Sequence, residues 1–415
     1  MCNTAIAHYG RATMTRYTKI RHPRAVLAVL FAGAFTMGCA EMLVVGMIDL
    51  IAVDLSVPLA DAGGLVTANA LGLAVGGPIL AFLCTRFDRR HLLIVSSAVF
   101  FAANLLPALF ADYPVFLIAR VVIGAVQGLF IAAAMVTATS VVAPERSGRA
   151  MSIVISGFAT ASALGLPLGT LLGQAIGWRG AFFAVVIAAA MILVLVTILL
   201  PSVPTEAGSG AVGQARHAFA PRVIAVLSVS FLTFAAMLAA ITYLVPLLSE
   251  SAGVDGPVVT VYLLLYGVAT TVGSFIGGRF ADVNAARMLI IGAVGVAASL
   301  VLMLVGGGNP WIAALAVLGI GLLGMGTTPS LQHRVGDLAG QGAPLAASLP
   351  ASAVNAGIAF GAFAGGAAID GGSVTFAVVA GIVLAIVAIG AAWATSGLRV
   401  TAPASAPLTS RASEL

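Results

Sequence analysis

A soluble chain of this length carries about one charged residue in four, roughly 100 in all; these 415 residues hold only 19 basic and 14 acidic ones. With an apolar fraction of 61% and 48 glycines, that excludes an ordinary soluble enzyme and indicates a chain whose solvent is lipid. Cys2, Cys39 and Cys84 are too few for a disulfide framework and read as free thiols.

Apolar stretches of about 20 residues, enough to cross ~30 Å of hydrocarbon, recur along the whole chain. Six lie near 25–53, 62–84, 92–110, 115–138, 151–176 and 181–200, and six more near 223–248, 257–280, 289–307, 311–330, 348–369 and 374–395. The expected fold is an all-α membrane protein of twelve transmembrane helices. An even number returns both ends to one side. The net charge of +5 is not gathered into a patch for nucleic acid. Its basic residues fall in the tails and in turns of one side, including Arg86, Arg89, Arg90, Arg146, Arg149, Arg216, Arg222, Arg279, Arg287 and Arg334, whereas the opposite turns hold Arg179 and a run of acids. The positive-inside rule then puts both termini in the cytoplasm.

The expected organisation is a cytoplasmic tail over 1–24, a six-helix bundle over 25–200, a linker over 201–221, a second bundle over 222–395 and a tail over 396–415. The tail's Arg11, Arg16, Lys19, Arg21 and Arg24 precede an apolar run too long for a signal peptide, and Met14 is an alternative start. The linker is rich in Gly, Ala and Pro without apolar periodicity. The halves look related: a shift of 197 places Arg90 on Arg287 and Leu92 on Leu289, and a shift of 192 places Gly165, Gly169 and Gly173 on Gly357, Gly361 and Gly365. Parallel six-helix repeats suit a rocking transporter. Glycines four apart in spans 2, 5, 8 and 11 are expected to be the surfaces on which the halves slide, ordinary tight packing being the alternative.

Ionisable groups inside apolar spans are functional candidates by default: here Glu41, Asp49 and Arg120. At about 1.5 Å of rise per residue, Asp49 lies roughly 6 Å and Glu41 roughly 18 Å from the outer end of span 1, and Arg120 roughly 7 to 8 Å deep in span 4. The spacing predicts an Arg120–Asp49 pair, either fixed or titrating, and leaves Glu41 as proton carrier, since an apolar setting disfavours a charged carboxyl; a permanently protonated, hydrogen-bonded side chain is the alternative for Glu41. Asn69, Gln127, Phe130, Phe234, Tyr266 and Asn355 are expected to line a mostly apolar cavity for an amphipathic, drug-sized molecule, with helix packing as the alternative role for each. The histidines form no metal spacing, and no nucleotide loop or nucleophile elbow is present, so no metal, cofactor or catalytic residue is expected.

Gly157 to Phe182 reads GFATASALGLPLGTLLGQAIGWRGAF, and its Gly165, Pro167 and Gly169 resemble the antiporter motif of major facilitator drug:proton antiporters. Arg120 and Gly124 in LIARVVIGAVQG resemble that family's helix 4 motif, whose arginine is implicated in proton transfer. The turn TRFDRR resembles its gating loop through Arg86 and Arg90, with Thr85 in place of an Asp and Asp88 in place of a Gly; the second-half copy keeps Asp282 and Arg287. Span 1, with Glu41, is similar to chloramphenicol exporters and arabinose-efflux-like permeases, although Asp49 replaces a frequent Pro and Asn69 a common Tyr. The resemblance implies proton-coupled export of a small amphipathic drug, chloramphenicol or a similar antibiotic, by a monomer in the bilayer. Alternatives are export of a sugar or endogenous metabolite and, remotely, a polytopic membrane enzyme.

Overall fold

The computed structural model describes residues 23–84, 87–143, 146–201, 219–339, 346, 349–370 and 372–398, with backbone alone at 81, 82, 147, 148 and 281–283. Arg86, the two tails and most of the linker lie outside them, as does the side chain of Asp282. All regular elements among the described residues are helical.

The first bundle opens with α1, Pro23–Val45, which turns at Gly46 and Met47 and resumes as Ile48–Asp54. α2 runs from Leu59–Leu71 through a π-turn at Gly72–Gly76 into Gly77–Leu83. α3 is Arg89–Leu109 and α4 is Tyr113–Ser140. One continuous stretch, Ser147–Leu199, holds both α5 and α6, divided at Gly177, whose φ of 72° and ψ of 163° break the helix in a region that favours glycine.

The second bundle repeats the order. α7 is Pro221–Ile241 with a continuation at Leu244–Ala252. Pro257–Gly306 holds α8 and α9, divided at Asn284. α10 is Pro310–Met325 with a continuation at Thr327–Ala339, α11 is Leu349–Ile369 and α12 is Thr375–Ser396. With the breaks at Gly177 and Asn284 counted, the described residues form twelve spans, as the apolar stretches predict. Their starts are chemically marked. Pro occupies the first turn of α4, α7, α8 and α10, where its missing N–H costs nothing. Asp88, Asp112 and Asn309 cap α3, α4 and α10 through their side chains.

One boundary differs from expectation. α10 does not end near 330 but continues to Ala339, where Arg334 donates to the carbonyl of Thr395 at 2.7 Å and ties it to the end of α12.

The glycine ladders carry a second correction. In α5, a Cβ on Gly165 would press on Met42 and Cys39 of α1, and one on Gly169 on Leu43. In α11, Gly357, Gly361 and Gly365 press in the same way on Phe231, Ala235 and Ala239 of α7. Gly72 and Gly76 of α2 back onto α4, and Gly273 and Gly277 of α8 onto α10. The ladders therefore seal helices within each half, in matching pairs, and are not the sliding surfaces. Glycine spacing reveals close approach but not the partner.

The helices that carry the ladders do also meet across the halves, α2 with α11 and α5 with α8. Those contacts gather on the side away from the termini, called distal below. Thr67 donates to the carbonyl of Ala359 at 3.1 Å and Gln174 to that of Gly256 at 3.1 Å. Gly63 and Gly366 enclose the buried phenol of Tyr243, which donates to the carbonyl of Ala362 at 3.0 Å. Pro167 leaves the carbonyl of Ala163 without its usual helical donor, and Gly267 of α8 backs onto that carbonyl. Farther along α2, Leu71 is 47% and Val75 55% exposed, while α11 stays beside the Gly72–Gly76 turn. The hydrogen bonds between the halves named above hold them together distally.

Candidate functional site

Glu41 lies on α1 between α5, whose backbone is brought close by glycine, and α4. On one flank the α5 ladder packs against residues 39–43 through Gly165 and Gly169, with Pro167 buried between them. On the other, α4 presents Arg120, Gly124 and Gln127, spaced i, i+4 and i+7 and thus on one helix face. Gly124 has no side chain there because the carbonyl of Asn69 in α2 occupies the space. The carboxyl is 3% exposed.

Gln127 Nε2 donates to Glu41 Oε2 at 2.7 Å. Arg120, 0% exposed, gives its N–H groups to main-chain oxygens: Nε to Leu65 at 3.1 Å, one terminal nitrogen to Ala40 at 3.0 Å and the other to Glu41 at 3.4 Å. A buried guanidinium needs acceptors or a counter-charge. It finds the first in the backbones of α1 and α2 and the second in the Glu41 carboxyl beside it.

Arg120 makes no ion pair with Asp49. Two departures from uniform helix geometry separate them. α4 begins at Tyr113, two residues before the assumed start, which sets Arg120 about 3 Å deeper. α1 breaks at Gly46 and Met47, where Met47 adopts φ −133° and ψ 19° and Thr170 of α5 donates to the carbonyl of Gly46 at 2.9 Å. Asp49 is thereby turned out of the Glu41 face. It lines a distal cleft of about 210 Å3 between the halves, with Gln174, Val245, Pro246, Ser249, Glu250, Asp255, Gly256 and Val259.

The six residues expected around a substrate do not meet on one open surface in this conformation. Asn69, Gln127, Phe130, Phe234, Tyr266 and Asn355 are all buried. Phe130 fills the space over Gly33 of α1, Tyr266 lies against Gly321 of α10, and Asn355 donates back to Ala351 one turn away. The Asn69 amide has no hydrogen-bond partner. Of the expected gating residues, Asp88 accepts from the Arg90 backbone at 2.7 Å and Arg90 reaches the carbonyl of Thr197 at 2.7 Å. The backbone N–H of Arg287 is held by Asn284 at 3.0 Å.

Asp54 and Arg179, which the sequence marks only as charges of the turns opposite the termini, form a distal staple with Trp178. Asp54 Oδ2 accepts from Arg179 at 2.8 Å and from the indole of Trp178 at 3.0 Å, and Trp178 stacks on Phe116. Asp54 is the last residue of the short Ile48–Asp54 helix, at the distal surface beyond the membrane-crossing Pro23–Val45 stretch. The Arg179 hydrogen bond, joined by that of Trp178, holds its carboxyl below the usual carboxylate range against a smaller desolvation effect.

The model of the Major Facilitator Superfamily matches residues 30–348. The chain belongs to that superfamily. It is 32% identical over 364 residues to the MFS-type transporter YtbD of Bacillus subtilis, covering 86% of this chain and 91% of that one. It is 32% identical over 384 residues to the inner membrane transport protein YdhP of Escherichia coli K12, covering 89% and 96%. A chloramphenicol resistance protein of Streptomyces lividans is 31% identical over 269 residues, covering 64% and 69%. Among solved structures, a bacterial homologue of the human lysosomal transporter Spinster, inward-facing and unoccupied, superposes with a TM-score of 0.74 at 15% identity over 91% of this chain and 97% of that one, a likeness of fold. The chain is a multi-pass membrane transporter.

Proposed function

We propose that this transporter exports a small amphipathic compound, chloramphenicol or a similar antibiotic, from a bacterial cell in exchange for protons. The observation that carries the reading is the acid at the centre of the first bundle: Glu41, buried in α1 and hydrogen-bonded by Gln127 beside Arg120. An intramembrane carboxyl is costly to keep unless it works. The similarity to a chloramphenicol resistance protein supports the class of cargo, and the low number of charged side chains within the spans favours an amphipathic cargo over a sugar.

In this reading the terminal side is cytoplasmic, the chain acts as a monomer in the inner membrane, and the distal contacts form the closed outer gate. With Glu41 deprotonated the inward-open carrier accepts cargo. After the halves rock, protonation of Glu41 from outside favours release and permits return. Net work requires cargo and proton to bind the two states differentially. Asp49, at the cleft where the halves meet, then faces the outer side rather than the coupling centre.

The test is a susceptibility panel in an efflux-deficient host expressing the chain, with and without an uncoupler. Protection against chloramphenicol or a related class, lost with the uncoupler, supports the reading. Protection that persists without a proton gradient, or none against any antibiotic, overturns it.

A further inference from the structure

The Gln127 side chain faces two demands with one donor and one acceptor. Its Nε2 donates to Glu41 Oε2 at 2.7 Å, whereas its Oε1 is buried without a partner. A carboxylate accepts hydrogen bonds only; a protonated carboxyl must also place an O–H donor. The charged neighbour cannot take that donor. Arg120 from α4 offers N–H groups alone, already directed at main-chain oxygens. α2 contributes one titratable group, Asp61, at its distal start, and α5 one, Arg149, at its terminal-side start.

We propose that Gln127 is the positioning residue for Glu41 in both of its protonation states, its amide turning over when the proton arrives. With Glu41 ionised, the amide N–H donates to the carboxylate through the Nε2–Oε2 contact. When Glu41 takes a proton from solvent, a half-turn about the Cγ–Cδ bond exchanges amide N for O, and the carboxyl O–H donates to Oε1. No other bond forms or breaks, and the amide stays neutral throughout, so the buried charge changes by the one proton on Glu41. A lysine or aspartate at this position would favour one state of Glu41 over the other. A hydrocarbon would leave the buried O–H unsatisfied. This inference rests on the proton-coupling role of Glu41 proposed above and adds the group that accommodates it.

Infrared difference spectra of the full-length protein in nanodiscs, recorded between acidic and alkaline pH, test it without a cargo. The wild type is expected to show a protonated-carboxyl stretch that Glu41→Gln removes. In Gln127→Leu that band shifts to the higher frequency of an acid without a hydrogen-bond acceptor. Because Gln127→Leu can disturb packing, the wild type is also prepared with isotope-labelled glutamine. A labelled side-chain amide signal then appears in the same difference spectrum and vanishes in Glu41→Gln. A Glu41 band unmoved in Gln127→Leu, with no labelled amide signal, overturns the role of Gln127 and leaves proton coupling standing. No pH-dependent Glu41 band in the wild type overturns both.

Discussion

The distal closure rests on a few tight contacts, and Gly63 is the one whose alteration has the clearest consequence. A methyl group there would collide with the Tyr243 phenol. Tyr243 has no room to retreat, being 0% exposed, hydrogen-bonded to Ala362 at 3.0 Å and backed by Gly366. Gly63 belongs to the first half and Tyr243 to the second, so the collision exists only while the distal side is closed. Overpacking of this kind costs about 1–3 kcal/mol, and a cost confined to one state shifts the population ratio by roughly 5- to 150-fold. A closed state favoured tenfold, ~1.4 kcal/mol, would fall to parity or below. The assay is pulsed electron-spin distance measurement between labels at Asp61 and Asp370, both exposed on the distal side, in a background lacking Cys2, Cys39 and Cys84. Gly63→Ala should transfer population from the short to a longer distance, and Gly63→Val should transfer more. Unchanged distributions in both folded variants would refute the placement of the gate.

Further outcomes follow from the same contacts. Arg120→Leu removes the donors to Leu65, Ala40 and Glu41 and should destabilise the protein by roughly 2–4 kcal/mol in detergent denaturation; Arg120→Lys should recover only part, since one ammonium cannot reach three carbonyls on two helices. Gly169→Ala and Gly361→Ala, on equivalent ladders against α1 and α7, should each lower the unfolding midpoint, by about 1–3 kcal/mol. The Asp54 carboxyl has a lowered folded pKa, so its contribution is present above its unfolded value of 3.8 and lost as the pH falls through the folded value. Asp54→Asn should therefore be slightly less stable near pH 6, by less than about 1 kcal/mol at so exposed a pair, and converge with the parent once the pH has fallen below the folded value; a constant difference would contradict the assignment.

The transmembrane architecture was legible because lipid imposes a coarse code. Span length, the rarity of charge and the one-sided placement of arginine each survive small errors of register. The coupling acid was legible for the same reason: Glu41 is the acid nearest mid-span in α1. Geometry that depends on register was not. Counting residues carried Asp49 to the depth of Arg120, but the turn at Gly46 and Met47, fixed by Thr170 across the helix pair, rotates Asp49 away. Gln127 did carry a signal, since it follows Arg120 by seven residues and Gly124 by three on one face of α4. That signal fits a cavity wall equally well, because an amide in a span suits either role until its partner is known. The glycines of α5 and α11 likewise identified the right helices but not the side on which each finds its neighbour.

The most direct test of proton-coupled export through Glu41 is transport in everted membrane vesicles under an imposed pH gradient, with labelled chloramphenicol as cargo. The account predicts uptake by the wild type that collapses when the gradient is dissipated, and none above background in Glu41→Gln present at equal amount. Gradient-driven uptake in Glu41→Gln at the wild-type rate would contradict it.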